Sequence, residues 1–232
     1  MIKSLFLFLF SFAVGLSSYN LENGFQRSPN DPKTVSISII NKEEANKLFK
    51  ELSAHKEIPF RYPIDGCYAR AHAMAQIAEK ENITTGKVFI VGYLRVKTDS
   101  TNYPLVEWGW HVAPIVVVED GKQDQVGPQR EHNVQYKNYK IMVLDPSLAN
   151  KPLSIAEWKN IMKYDGDGGR PEVKKIYFGA RYQYYPSDSN KKGWQISDLE
   201  NMEKTFENYR PFEEVVSQKE IRKVIQPNGV SK

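Results

Sequence analysis

The sequence predicts an α+β fold in which a helix carrying the only cysteine packs on a mainly antiparallel sheet. Three observations predict it. Capping signatures precede apolar residues at helical spacing at several places in the chain. Three segments rich in β-branched and aromatic residues are bounded by turn signals. The connections between those segments carry no helical pattern, which favours antiparallel neighbours over crossover units.

Taken in order, Met1-Ile2-Lys3 and the apolar run Leu5 to Leu16, closed by Ser17-Ser18, have the layout of an export signal cleaved near Ser17 or Ser18. The run is shorter than the roughly 20 apolar residues a membrane anchor needs. Residues 1–18 are therefore expected to be a signal peptide and the mature protein to be secreted or periplasmic, without membrane attachment. Residues 19–34 are rich in Asn, Pro and Ser and read as a flexible lead-in. Residues 35–232 are enough for one sizeable domain.

That domain is expected to open with a strand from Val35 to Ile40. Asn41 with Glu44 forms a capping signature for a helix through Ala45, Leu48, Phe49 and Leu52, to about Ala54. After Pro59 and Pro63, helical spacing resumes at Cys67 and continues through Ala71, Met74, Ile77 and Ala78 to about Glu81. Strands are expected at Lys87 to Val96, Trp110 to Val118 and Tyr139 to Leu144. A helix opened by Ser154 and Glu157, a strand from Lys174 to Tyr185, and a helix opened by Ser197 and Glu200 complete the order.

The formal charge is +4, with lysines and arginines scattered among acids and no basic block of five. That pattern argues against a nucleic-acid footprint and against a membrane-binding patch. Residues 164–169 begin like a calcium loop, but Arg170 and Ile176 stand where that loop needs glycine and a carboxylate, so the segment reads as a tight glycine turn.

One cysteine in the whole chain excludes an internal disulfide. Cys67 is then either a buried small hydrophobe or a retained thiol. Its position is chemically pointed. A helix N-terminus directs unpaired N–H groups and the positive end of the dipole at a thiolate, and Gly66 before it admits close approach of a substrate backbone. Among the four histidines, His55 and His132 lie in polar segments, and His72 follows Cys67 by five residues and is rotated away from it. His111, at the start of an apolar strand, is either a satisfied core residue or the base that a nucleophile requires. Asp145 ends the strand IMVLD before Pro146-Ser147, as a turn residue or as the group that fixes the imidazole.

The blocks FRYPIDGCYARAHAM, WHVA and LDPSL resemble those of the bacterial protein-glutaminases, secreted enzymes that deamidate glutamine side chains of intact proteins. The similarity runs more loosely from the helix around Ala45 to the tyrosine-rich segment near Tyr184. It implies a papain/transglutaminase-like fold, a catalytic domain over 35–232, and the roles of nucleophile for Cys67, base for His111 and orienting carboxylate for Asp145. The resemblance further implies action on proteins or peptides with accessible glutamine, with no cofactor or metal, and a monomer is expected. Gly66, Trp110, Tyr184 and Tyr185 are the residues expected along a substrate cleft, although alternate aromatics on a strand also serve core packing. The same three residues would serve a transglutaminase or a cysteine peptidase, and a secreted binding module with Cys67 in its core is the alternative of another class.

Overall fold

A computed structural model of the chain describes residues 18–20, 36–98, 100, 102–119, 139–188 and 191–213. The strands are β1 (Ser18–Asn20), β2 (Ser36–Ile40), β3 (Gly86–Lys97), β4 (Leu105–Glu119), β5 (Tyr139–Val143), β6 (Leu153–Ser154) and β7 (Glu172–Ala180). The helices are α1 (Lys42–Ser53), α2 (Cys67–Lys80), α3 (Ile155–Ile161) and α4 (Ile196–Tyr209), with a 3₁₀ turn at Arg210–Phe212. The expected α+β class is what the chain adopts: β4 pairs antiparallel with β3 and β5, β3 with β7, and only β2 joins β4 in parallel.

Local chemistry fixes two of the four helix starts among the described residues. The Asn41 side chain accepts from the Glu44 N–H while Glu44 accepts from the Asn41 N–H, both at 2.8 Å. Ser154 and Glu157 repeat the reciprocal cap on α3. Leu48, Phe49 and Leu52 then bury one face of α1 in a core shared with Met74 and Ala78 of α2 and with Val88, Ile90, Ile115 and Val117 of the sheet. Burial of this kind stabilises by about 25 cal/mol for each Å² of apolar surface removed from water. α2 packs on β4 and against α4, so the sheet supports the helix that begins at Cys67 directly.

Four boundaries differ from expectation. α4 starts at Ile196 with Gln195 as its cap, two residues before the start that a cap at Ser197 would give. Lys191 holds Asp198 at 2.7 Å and pins the first turn there. β4 begins at Leu105, because Leu105–Trp108 pair with Leu94–Lys97 across a bulge near Gly92, and Arg95 and Tyr93 both hold Glu107 across the strands. β7 stops at Ala180, where the Gln183 N–H turns back onto the Ala180 carbonyl. Tyr19 and Asn20, expected in a flexible lead-in, belong to β1, which covers the edge of β2. The remainder of the expected signal peptide and lead-in, and His132, lie outside the described residues.

The glycine turn after α3 wraps an arginine. Arg95, nearly buried, donates to the carbonyls of Tyr164 and Gly166 at 3.2 and 2.7 Å, and a Cβ on Gly169 would overlap its guanidinium. Asp167 and Gly168 turn the chain with positive φ. Among the described residues no cluster of His, Cys, Asp or Glu is placed to hold a metal ion, and no helix is long and apolar enough to cross a membrane.

Candidate active site

Cys67 is the first residue of α2 and is nearly buried, packed with Ala71, Phe89, Val112 and Tyr177. The loop before it is built around a buried arginine. Arg70 Nη1 donates to the carbonyls of Asp65, Tyr62 and Pro59 at 2.8, 3.1 and 3.4 Å, so the turn from Pro59 to Gly66 is tied to the first turn of the helix. Gly66 caps that helix with φ 84°, a left-handed conformation that L side chains rarely adopt. A Cβ there would come within 3.0 Å of the Tyr209 ring, so the fold itself requires glycine at this point.

The loop carbonyls also fix a tryptophan. Trp108 Nε1 donates to Pro63 O at 3.1 Å and Ile64 O at 3.0 Å, and its indole stacks on the His111 imidazole with centroids 4.7 Å apart and planes 8° from parallel. His111 stands on β4 opposite Ile90 of β3 and is 1 % exposed. Its Nε2 donates to Asp145 Oδ2 at 2.8 Å. Nδ1 has no hydrogen-bond partner, and Cys67 is the other titratable side chain that interacts with the ring.

Asp145 follows β5, where the Leu144 N–H binds the Pro114 carbonyl and brings the strand end alongside β4. Its carboxylate is 3 % exposed. Besides His111, Oδ2 accepts from Trp158 Nε1 at 2.8 Å, and Oδ1 accepts from the Ser147 N–H at 3.2 Å. Burial opposes its charge, but the His111 charge and hydrogen bond, with the Trp158 indole, hold the carboxyl below its ordinary range. Burial likewise opposes the imidazolium, yet Asp145, reinforced by Cys67, pushes His111 up to about 9. The Asp145 carboxylate thus holds one nitrogen of the His111 ring, and the Cys67 thiol at the start of α2 interacts with the same ring.

The glutaminase family model matches residues 45–127, a span that holds both Cys67 and His111. The solution structure of protein-glutaminase from Chryseobacterium proteolyticum matches with 25 % identity and a TM-score of 0.60, over 78 % of this chain and 94 % of that one. The chain is similar to the protein-glutaminases in sequence over residues 45–127 and in fold over most of its length. A crystal structure of protein-glutaminase matches at 24 % identity with a TM-score of 0.59, covering 81 % of this chain and 95 % of that one. A crystal structure of pro-protein-glutaminase, also 24 % identical, gives a TM-score of 0.60 and covers 81 % of this chain and 64 % of that one. Among proteins of curated function, none matches the chain in sequence.

The other residues singled out in the sequence fall in different surroundings. Trp110 is half-buried beside Tyr68 and Phe89 in the small cluster around Cys67. Tyr185 is also half-buried and meets Tyr68 at 5.1 Å. Tyr184, expected along the cleft, is fully buried and wedged among Tyr68, His72 and Tyr185. His72 is fully buried, with Nδ1 3.2 Å from Lys87 Nζ, which also donates to the Gln183 carbonyl at 2.6 Å. Burial, aided by Lys87, pushes His72 down to about 2, so it is a neutral acceptor for the lysine. His55 pairs with Glu57. An open recess of about 670 Å³ lies beside the end of α3 and the start of β7, lined by Asn160, Lys163, Asp165 and Arg170, and contains none of the three site residues.

Trp158 and Trp108, the latter an aromatic that could equally have lined a cleft, brace the site, and local sequence does not signal that role. Trp158 reads as an apolar position of α3, and its bond to Asp145 exists only once α3 packs against the end of β5. Trp158→Phe keeps an aromatic ring but removes one of the donors to a buried carboxylate, and a hydrogen bond to a charged group contributes about 1.5–3 kcal/mol. The expected result is a fall in kcat of about tenfold or more, measured as ammonia release. A kcat equal to wild type would show that the indole does not support Asp145.

Proposed function

We propose that this protein is a secreted cysteine-dependent deamidase that converts protein-bound glutamine to glutamate through Cys67, His111 and Asp145. The observation that carries the reading is the orientation of His111: Nε2 is committed to Asp145 at 2.8 Å, while Nδ1 is left for Cys67 and its substrate. Similarity to the protein-glutaminases supports the substrate class.

Cys67 Sγ, as thiolate, attacks the carboxamide carbon of glutamine. The Cys67 backbone N–H, at the start of α2, stabilises the oxygen as it becomes negative. Collapse of the tetrahedral intermediate breaks the C–N bond, and the His111 Nδ1 proton passes to the departing nitrogen, releasing ammonia and leaving a thioester. Neutral His111 then takes a proton from water through Nδ1 as the water oxygen attacks the thioester carbon, and glutamate leaves while Cys67 regains its sulfur electron pair. Asp145 holds the Nε2–H throughout, so the ring keeps the tautomer that leaves Nδ1 free to accept. The reading places the enzyme outside the cytoplasm through the export signal at residues 1–18, working as a monomer on proteins whose glutamines are exposed.

The test is incubation of the purified protein with casein, recording ammonia and product mass with and without a primary amine. Ammonia with a gain of about one mass unit per site, the difference between amide and acid, is expected. Amine incorporation would make the protein a transglutaminase, shortened peptides a peptidase, and the absence of any change in casein would count against deamidation.

The same geometry sets a pH dependence. His111 must be charged to protonate the departing nitrogen, so kcat/KM is expected to fall as pH rises through about 9, the value to which Asp145 lifts it. A profile already falling at pH 6.5, the ordinary histidine value, would contradict the pairing.

A further inference from the structure

We propose that Ile64, with Tyr62 and Phe212 beside the same loop, forms a subsite for an apolar side chain flanking the target glutamine. The inference rests on the deamidase reading. Ile64 lies three positions before Cys67 and is 38 % exposed, and Phe212 is 59 % exposed, two of the few large apolar side chains that face solvent among the described residues. Isolated exposed hydrophobes need no explanation, but apolar surface gathered at the edge of a reactive centre marks a recognition site.

The exposure does not come from a slack loop. Ile64 O and Pro63 O both accept from Trp108, the indole that covers the His111 ring. Asp65 Oδ2 accepts from Tyr209 OH at 2.6 Å, and Oδ1 accepts from the Gly66 N–H at 2.7 Å. The Tyr62 ring packs on Tyr209 at 4.7 Å and reaches Phe212 at 6.0 Å, which joins the end of α4 to the loop. The backbone is therefore preorganised while the Ile64 side chain stays more than a third exposed. Charges nearby are already engaged: Arg61 pairs with Glu213 at 3.7 Å, and both Asp65 oxygens are taken. What the loop offers a substrate is apolar contact.

Geometry puts a substrate neighbour there. A glutamine side chain must enter to reach Cys67 while its backbone stays at the rim, and consecutive Cα atoms are about 3.8 Å apart. A residue next to the glutamine is then within reach of the segment that immediately precedes Cys67 in the chain.

The experiment compares acetyl-Ala-Leu-Gln-Leu-Ala-amide with acetyl-Ala-Ser-Gln-Ser-Ala-amide, reading ammonia release by the full-length mature protein, by Ile64→Ser, by Phe212→Ser and by the double variant. Wild type is expected to favour the leucine peptide about tenfold in kcat/KM, a typical discrimination for a partly enclosed apolar contact. The ratio should approach one in the double variant and persist in Ile64→Val, with melting temperatures confirming that each variant folds. Equal rates for the two peptides in wild type, or a preference that survives the double substitution, would overturn the subsite while leaving the deamidase intact. Ammonia from neither peptide would overturn the deamidase reading, and the subsite with it.

Discussion

Cys67→Ala is expected to lower ammonia release from protein glutamine by on the order of 10⁵–10⁶-fold, the scale on which loss of a catalytic nucleophile acts when base and carboxylate remain. The substitution removes one buried sulfur from a site walled by Ala71, Phe89, Val112 and Tyr177. Because the lost volume is small and Arg70, not Cys67, ties the preceding loop together, the melting temperature should change little. That contrast carries the information. A folded Cys67→Ala protein with full turnover would remove the thiol from the mechanism, whereas a folded, silent one separates chemistry from architecture. Alkylation by iodoacetamide at pH 6 to 7 should silence the wild type to the same extent.

Asp145→Asn should lower kcat by about 10⁴-fold, the scale seen when a triad carboxylate becomes an amide. An amide at this position can offer His111 an N–H where the ring needs an acceptor, and a ring turned to present its other tautomer no longer leaves Nδ1 to receive a proton. The substitution also removes the principal influence that lifts His111 to about 9, so the alkaline limb of any residual activity should move down. Stability carries the same signature. The His111 contribution is fully present below pH 6.5 and lost as pH rises through about 9; the Asp145 contribution is present above 3.8 and lost as pH falls through its lowered folded value. Wild type should therefore lose stability on both sides of that window, and Asp145→Asn should flatten both limbs in denaturant melts taken across pH. Unchanged kcat in the Asp145→Asn variant would show that His111 keeps its tautomer without a carboxylate.

Much of the fold is legible in the sequence where a few adjacent residues decide the structure. The caps at Asn41 and Ser154 are closed by side chains three residues away, and they form as expected. The start of α4 differs because Lys191 and Asp198, seven residues apart, outweigh the local pattern at Ser197. The start of β4 escapes a local reading for a similar reason: its first residues are strand because β3 pairs with them, not through their own alternation. At the site, Cys67 is visible from its place at the start of a helix, while His111 and Asp145 can each be read as ordinary core or turn residues. Family resemblance weights them toward catalysis, and the structure brings the two within 2.8 Å. The tryptophans that brace them are not legible, since the contact of Trp108 with Pro63 spans 45 residues and that of Trp158 with Asp145 crosses a strand end and a turn. Tyr184 shows the converse, an aromatic in a suggestive run that turns out to be fully buried.

The arginine hub beneath the loop that precedes Cys67 has a further consequence, for redox behaviour. Three carbonyls gathered by Arg70 give the turn its shape without any sulfur–sulfur bond, and the chain has only one thiol. Reductants should therefore leave the scaffold untouched, and oxidants should reach function before they reach the fold. Mild peroxide, by converting Cys67 to its sulfenic acid, would switch activity off in a protein that stays folded, and added thiol would restore it.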